Sequence, residues 1–452
     1  MHRRSLSQRP DPRSGARPGR ARFAKRAALA GALFAAPFVC GWPAPAGAQT
    51  AKQDSVGARS RPDFAPLGLE LHRLWPDRGL EAAPADGLLS SLVLYPKFET
   101  EIRRDDNIFR AESGAVADDI LVLRPSMAIR SDWDNHAINL TADVEFGRHD
   151  KTASEDYEDV GLAADGRIDI GDSWTVSPRL AYGESHEQRG AVDDPGAAVA
   201  QTVFRTLEGA IETQYFADAI LLRGSATWKA FDFDDAGTVD NDDRDRLESA
   251  YSLRAGYEFS PGTILFVQPT LRLVDYDQAV DNFGLRRDSE GYEVLTGLTW
   301  DVSGVTFAEF SIGYMEQRYD DPALPTASGL SAQAVAIWNA TDLLTVTATL
   351  GRRIAETTLP GVAGILQTAG SLRLDYELLE NLLFDLEVAV QNDDFEGGGR
   401  EDSRMRFVLG SKYFMGRNWY GELRYQHESR ESNAIGADFT ANSVFALLGI
   451  AL

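Results

Sequence analysis

Residues 371–392 read SLRLDYELLENLLFDLEVAVQN. Leu372, Leu374, Tyr376 and Leu378 alternate with Arg373, Asp375 and Glu377. After Leu379-Glu380-Asn381, the residues Leu382, Phe384, Leu386, Val388 and Val390 alternate with Asp385 and Glu387. A period of two places every apolar side chain on one flank and every charge on the other. A helical period would scatter the same charges around the whole circumference. The stretch therefore predicts a β-hairpin with one oily and one ionic flank. A soluble sandwich also contains such hairpins, but it turns the oily flank inward. Recurrence of the pattern decides between the two.

From Leu92 onward the alternation does not stop. It appears at Leu92 to Arg103, Leu121 to Arg130, Ile138 to Phe146 and Asp159 to Ile170. It returns at Leu247 to Phe259, Tyr292 to Trp300, Leu344 to Leu350, Met405 to Tyr413 and Trp419 to Tyr425. Counting all segments gives about 18 strands, each near or above the ~10 residues that a tilted strand needs to cross a bilayer.

The connections alternate in length. Short turns are predicted at 131–135, 171–173, 216–218, 260–262, Val302-Ser303-Gly304, 339–342, 379–381 and 415–418. Long polar loops lie between them, such as 186–200, 232–245, 275–288, 320–329, 393–402 and 427–438. Short turns on one side and long loops on the other mark a transmembrane antiparallel up-and-down β-barrel. An even strand count returns both ends of the sheet to the short-turn, periplasmic side. Trp174, Tyr215, Phe259, Trp300, Trp338, Tyr413 and Trp419 all sit beside short turns, where an interfacial aromatic girdle belongs. Val444, Leu448, Ile450 and Leu452 share a face, as a closing strand requires.

The 452 residues carry a formal charge of −24 and one cysteine. No apolar run reaches eighteen residues, so a transmembrane helix is not expected. The acidity argues against nucleic acid as a partner. Residues 1–48 read as a signal peptide: nine basic residues, an apolar stretch Ala27 to Val39, then Ala46-Gly47-Ala48. Cleavage there would remove nine bases, one acid and Cys40, and shift the formal charge from −24 to about −32. Residues 49–90 read as a flexible periplasmic leader, with Phe64 to Leu71 a candidate docking or plug segment. Residues 91–452 are assigned to the barrel.

Several stretches resemble a known family: Arg61 to Gly68, Tyr95-Pro96-Lys97-Phe98-Glu99, Asp105 to Arg110, Leu123-Arg124-Pro125-Ser126, Ser131-Asp132-Trp133 and Ser154 to Tyr157. They are similar to the outer-membrane β-barrel porins often encoded beside capsule or exopolysaccharide export genes. The resemblance implies an outer-membrane barrel and a part in moving a polysaccharide out of the cell. A periplasmic export protein would then be a partner, together with outer-membrane lipid and lipopolysaccharide. The resemblance supplies no catalytic residue and no cofactor.

Within the barrel, parity assigns charges of both signs to the lumen. Arg124, Arg130, Arg254, Arg272, Arg373 and Arg406 stand there with Glu258, Glu293, Asp375, Glu377, Asp385 and Glu387. Opposed charges on neighbouring strands build salt-bridge ladders, and rings of charge let pores discriminate solutes. The loops hold acidic doublets: Asp105-Asp106, Asp193-Asp194, Asp234-Asp235, Asp242-Asp243, Asp320-Asp321 and Asp393-Asp394. Divalent-cation bridging to lipopolysaccharide is one reading, although none fits a calcium-loop pattern; solvated, self-repelling loops is the other. His149-Asp150, His186-Glu187 and His427-Glu428 are the only pairs that suggest a hydrolase, and no catalytic motif accompanies them. The alternatives to a channel are an adhesin-like barrel that binds through acidic loops and, third, an outer-membrane hydrolase.

Overall fold

The computed structural model describes residues 80–81, 92–133, 135–194, 196, 200–301 and 305–452. The signal peptide, the Phe64 to Leu71 segment and the Val302-Ser303-Gly304 turn lie outside the described residues. Leu80–Glu81 forms a two-residue strand, β1, paired with Leu94 and Val93. Eighteen long strands follow. The first six are β2 (Leu92–Asp105), β3 (Asp118–Ser131), β4 (Ala137–His149), β5 (Tyr157–Ile170), β6 (Trp174–His186) and β7 (Val203–Ala217). The next six are β8 (Ile220–Phe233), β9 (Arg246–Ser260), β10 (Thr263–Tyr276), β11 (Ser289–Asp301), β12 (Thr306–Tyr319) and β13 (Ala327–Thr341). The last six are β14 (Leu344–Ala355), β15 (Ile365–Leu379), β16 (Leu382–Phe395), β17 (Glu401–Phe414), β18 (Trp419–Ser432) and β19 (Phe439–Ala451).

Each long strand pairs antiparallel with the next, and β19 returns to β2 through pairs from Ser443↔Asp105 to Ala451↔Lys97. The sheet is closed, so no long strand keeps an unpaired edge. β15 and β16 are the hairpin of residues 371–392. Its turn is Glu380-Asn381, because Leu379 joins the strand and pairs with Leu382 across a register irregularity.

The strands are longer than the alternation suggests. They run for 12–15 residues, against the ~10 that a bilayer requires. They consume much of the predicted long loops: 393–402 contracts to 396–400, and 427–438 to 433–438. Above the lipid both flanks meet water, so a ladder can continue there without an oily side chain at every second position.

Exposure settles which flank is outside. In β9, Leu253 is 55% exposed and its neighbour Arg254 only 3%. The oily flank forms the outer surface. Trp174, Phe259, Trp300, Trp338, Tyr413 and Trp419 are exposed on it at the short-turn rim, with the Tyr215 ring 5.1 Å from that of Trp174. Inside, the apolar clusters are small. One is Leu221, Ile264 and Phe216 near the short-turn end; another is Val362, Ile365 and Phe395 at the long-loop end.

Candidate functional site

The lumen wall is a charge network laid across strands. Arg124 on β3 stands between Glu101 on β2 and Glu145 on β4. Its Nη1 donates to Glu101 Oε2 at 2.9 Å and its Nε to Glu145 Oε2 at 2.6 Å. The Tyr157 hydroxyl donates to the second oxygen of Glu145 at 2.5 Å. That ring lies over Gly147, where a Cβ would meet its Cε1 at 2.1 Å. Glycine there is thus a condition of the bond.

The opening hairpin builds a second group. Arg373 is 2.9 Å from Asp375, 3.7 Å from Glu387 and 3.9 Å from Asp385. Glu387 also accepts from Arg406 on the adjacent strand at 2.8 Å. On the opposite wall, Arg254 donates to Gln268 at 2.7 Å and to Glu309 at 2.9 Å, with its guanidinium 3.8 Å from the Phe266 ring centroid. Arg272 stands 3.8 Å from Glu293, which accepts from Ser331 at 2.5 Å. Such half-buried pairs contribute little net stability, but removing one partner strands the other charge.

The remaining three sequence-predicted residues lie near the short turns. Arg130 packs over the Tyr95 ring at 4.9 Å. Glu377 sits near the Glu380-Asn381 turn, opposite Leu383. Glu258 accepts the Gly262 N–H at 2.7 Å, at a glycine with φ +75°. It caps the Pro261-Gly262 turn. Sequence parity assigns Glu258 to the lumen face but cannot show that the backbone claims its carboxylate.

The long-loop mouth holds the groups that sequence reading missed. Residues 187–202 connect β6 to β7. Residues 356–364 connect β14 to β15, eight strands away around an eighteen-strand ring and so almost opposite. The two connections meet over the lumen. Asp193 accepts from the Thr357 hydroxyl at 2.8 Å, and Val192 packs on Val362, Ile365 and Phe395. Arg189 makes a bidentate pair with Glu155, 2.8 Å on each arm, and bonds Asp194 at 3.0 Å. Arg244 pairs with Glu187 at 2.7 Å. Gly190 has φ +78° and accepts from Arg430 at 2.9 Å. A Cβ there would meet Arg110 at 2.9 Å and Phe439 at 3.1 Å.

Arg287, in the β10–β11 connection, fixes the opposing loop. It is 2% exposed, pairs with Asp281 at 2.7 Å and donates to the carbonyls of Thr357, Leu359 and Val362. Glu356 is drawn inward too, accepting from Tyr276 and Gln317; burial raises its carboxyl above the ordinary range.

Three members of the acidic doublets depart from the expectation of solvated loops. Asp105, Asp243 and Asp393 are buried, each accepting hydrogen bonds. Beside Asp243, burial pushes the Asp245 carboxyl up to about 8. The Phe233 N–H bond opposes the rise, and Asp232, Asp242 and Asp277 add to it. One acidic group resembles a ligand set: Asp235, Asp240 and Asp242 place carboxylate oxygens within 4.8 Å of one another. Two of the three are exposed, and their oxygens cap the loop backbone at Asn241 and Asp242. The histidines form no catalytic set. His186 contacts Asp159 at 3.0 Å and Gln188 at 2.9 Å, His427 contacts Asn442 at 2.9 Å, and His149 lies 3.6 Å from Asp156.

No curated protein matches the chain. Solved structures with a similar barrel include the Pseudomonas aeruginosa outer membrane protein OpdK, at 12% identity and TM-score 0.43, covering 79% of this chain and 99% of that one. Pseudomonas aeruginosa OccK2 (OpdF), solved in complex with glucuronate, matches at 11% identity and TM-score 0.44, covering 79% and 98%. Acinetobacter baumannii OccAB3 matches at 10% identity and TM-score 0.42, covering 80% and 99%. Residues 89–451 match the family described as Putative beta-barrel porin 2. The match spans most of the chain, and a closed barrel, an oily exterior and an ionic lumen accompany it. The chain therefore belongs to this family of β-barrel porins, which are outer-membrane channels and not enzymes.

Proposed function

We propose that the barrel is a passive conduit for hydrophilic solutes whose passage is governed by the loops across its mouth. The carrying observation is the division of flanks: carboxylates and guanidinium groups of both signs line the inside, and the outside is apolar. Such a wall suits a polar cargo that keeps its water. The test is planar-bilayer recording of the refolded protein. Stepwise conductance is expected; silence would mean a plugged or purely structural barrel.

The cargo implied by the family resemblance is an extracellular polysaccharide leaving the cell, assisted by a periplasmic export protein. A polymer strand requires the 187–202 and 356–364 connections to part, since they are bonded to one another over the lumen. Deleting the gene is expected to lower surface polysaccharide, and an unchanged surface coat would remove this reading. One observation favours a second reading, binding through the loops: Asp235 and Asp240 are exposed in one acidic group at the mouth. In that case trimming residues 234–245 abolishes partner or lipopolysaccharide binding and leaves conductance intact.

A further inference from the structure

Arg404 on β17 and Arg430 on β18 are directly opposed in the antiparallel ladder. Both share the lumen-facing parity of Arg406 and Glu428. Like charges facing one another across a ladder repel unless an anion compensates them. Arg124, Arg254, Arg373 and Arg406 on the same wall each hold a carboxylate within 2.9 Å.

At this pair the compensation is incomplete: one carboxylate faces two guanidinium groups. The carboxylate nearest Arg404 is Asp393, 3.5 Å from Nε. The Asp393 oxygens already accept from Gln391 at 2.8 and 2.9 Å and from Gln367 at 3.0 Å. Nε and Nη2 of Arg404 are buried with no hydrogen-bond partner among the described residues. Arg430 donates only to main-chain oxygens, those of Ala437 and Gly190, and packs its guanidinium over the Phe439 ring at 5.0 Å. Among the described residues no carboxylate lies within 4.0 Å of it. The third nearby cation, Arg400, is engaged by Asp402 through bonds of 2.8 and 2.6 Å.

Five N–H groups on a planar fork suit two oxygens of one anion. Arg430 spends two of its five, and Nε and Nη2 of Arg404, at the facing position of the ladder, have no hydrogen-bond partner among the described residues. We propose that Arg404 and Arg430 form an oxyanion site on the lumen wall, immediately below the 187–202 connection, that takes the carboxylate or phosphate group of the solute entering or leaving the channel. The proposal deepens the channel reading and rests on it for the solute's identity. It gives a strongly acidic chain a place where an anion is attracted. The Gly190 carbonyl bond to Arg430 ties that place to the loops over the mouth.

The test uses the full chain refolded in detergent micelles, titrated calorimetrically at low salt with inorganic phosphate, galacturonate and, as the neutral counterpart, galactose. At least one anion is expected to bind and galactose is not. Arg404→Gln is expected to weaken anion binding at least tenfold, and Arg404→Lys to recover part of the loss. Arg404 donates no hydrogen bond to the fold, and Asp393 keeps the donors of Gln391 and Gln367, so the glutamine variant is expected to fold. Phosphate binding without galacturonate binding supports the site and assigns it to phosphorylated solutes; the converse supports it and assigns it to sugar acids. No heat with either anion overturns the proposal, as does equal affinity in Arg404→Gln. Conductance measured on the same preparation separates the two readings. Binding without conductance supports the site and removes the channel, and conductance without binding removes the site alone.

Discussion

The two ends of the barrel close by different physics. At the short-turn end, the chain reverses in a few residues, as at Glu380-Asn381 and Pro261-Gly262, and the ladder alone satisfies most of the backbone. At the mouth, closure depends on arginines that reach across long sequence separations. Arg430 donates to Gly190, 240 residues away, and Arg287 donates to carbonyls 70 to 75 residues on. The wall is held by uniform, local pairing; the mouth is held by a few buried charges. The difference teaches that the mouth can open at the expense of a handful of bonds while the wall stays intact.

The sharpest way to break that comparison is pH. A carboxyl raised to about 8 in the folded protein, against an ordinary value near 4, binds its proton more tightly when folded. Its contribution to stability is complete below about pH 4 and is lost as pH rises towards about 8. The opening equilibrium in residues 234–245, read from hydrogen exchange after the intrinsic pH dependence of amide exchange is divided out, is therefore expected to rise over that window, by at most about tenfold per pH unit. Asp245→Asn is expected to flatten the dependence, and an unchanged slope in the variant would dismiss Asp245 as its source.

Arg287→Ala comes next. Removing one member of a buried pair costs about 3–5 kcal/mol, and Asp281 and three carbonyls lose their donor. The loss is expected to appear as faster exchange and proteolysis at 356–364, with larger conductance. If the urea midpoint of the whole barrel falls by the same amount, wall and mouth are one cooperative unit and the contrast fails. Leu253→Arg probes the other side. Arginine at the middle of a lipid-facing strand costs about 2–4 kcal/mol. That cost is expected in the folding midpoint in vesicles, with exchange at the mouth unchanged. Gly190→Ala should cost about 1–2 kcal/mol, from a positive φ and a crowded Cβ. Its readout is faster protease cleavage within 187–202. The smallest effect, about 1 kcal/mol, is expected for Thr357→Ala, which deletes one hydrogen bond between the two opposing connections.

The contrast also explains what the sequence could reveal. Alternation at Leu372 to Val390 encodes a strand's two flanks directly, so strand number, closure and the outward turn of the oily flank could all be read there. Arg373, Asp375, Asp385 and Glu387 are legible as lumen charges for the same reason. The strand ends are less legible, because an oily residue at every second position is required only inside lipid. The mouth was not legible at all. Nothing near Val192 or Asp193 signals that their partners are Val362 and Thr357, since those contacts depend on where a closed ring places loops that are remote in sequence. The buried acids misled for the same reason: Asp243 and Asp393 look like solvated loop residues until the residues that surround them are known.

The surplus strand length carries a consequence of its own. Fourteen residues at about 3.3 Å each, tilted by about 40°, rise some 35 Å, about 10 Å more than the ~25 Å apolar band of such barrels. The strands thus continue as a rampart past the apolar band. The connections are footed on this rampart, clear of the hydrocarbon. Their tips can therefore lengthen, shorten or change composition while the footing keeps its register, which leaves the outermost surface free to diversify against whatever the cell encounters.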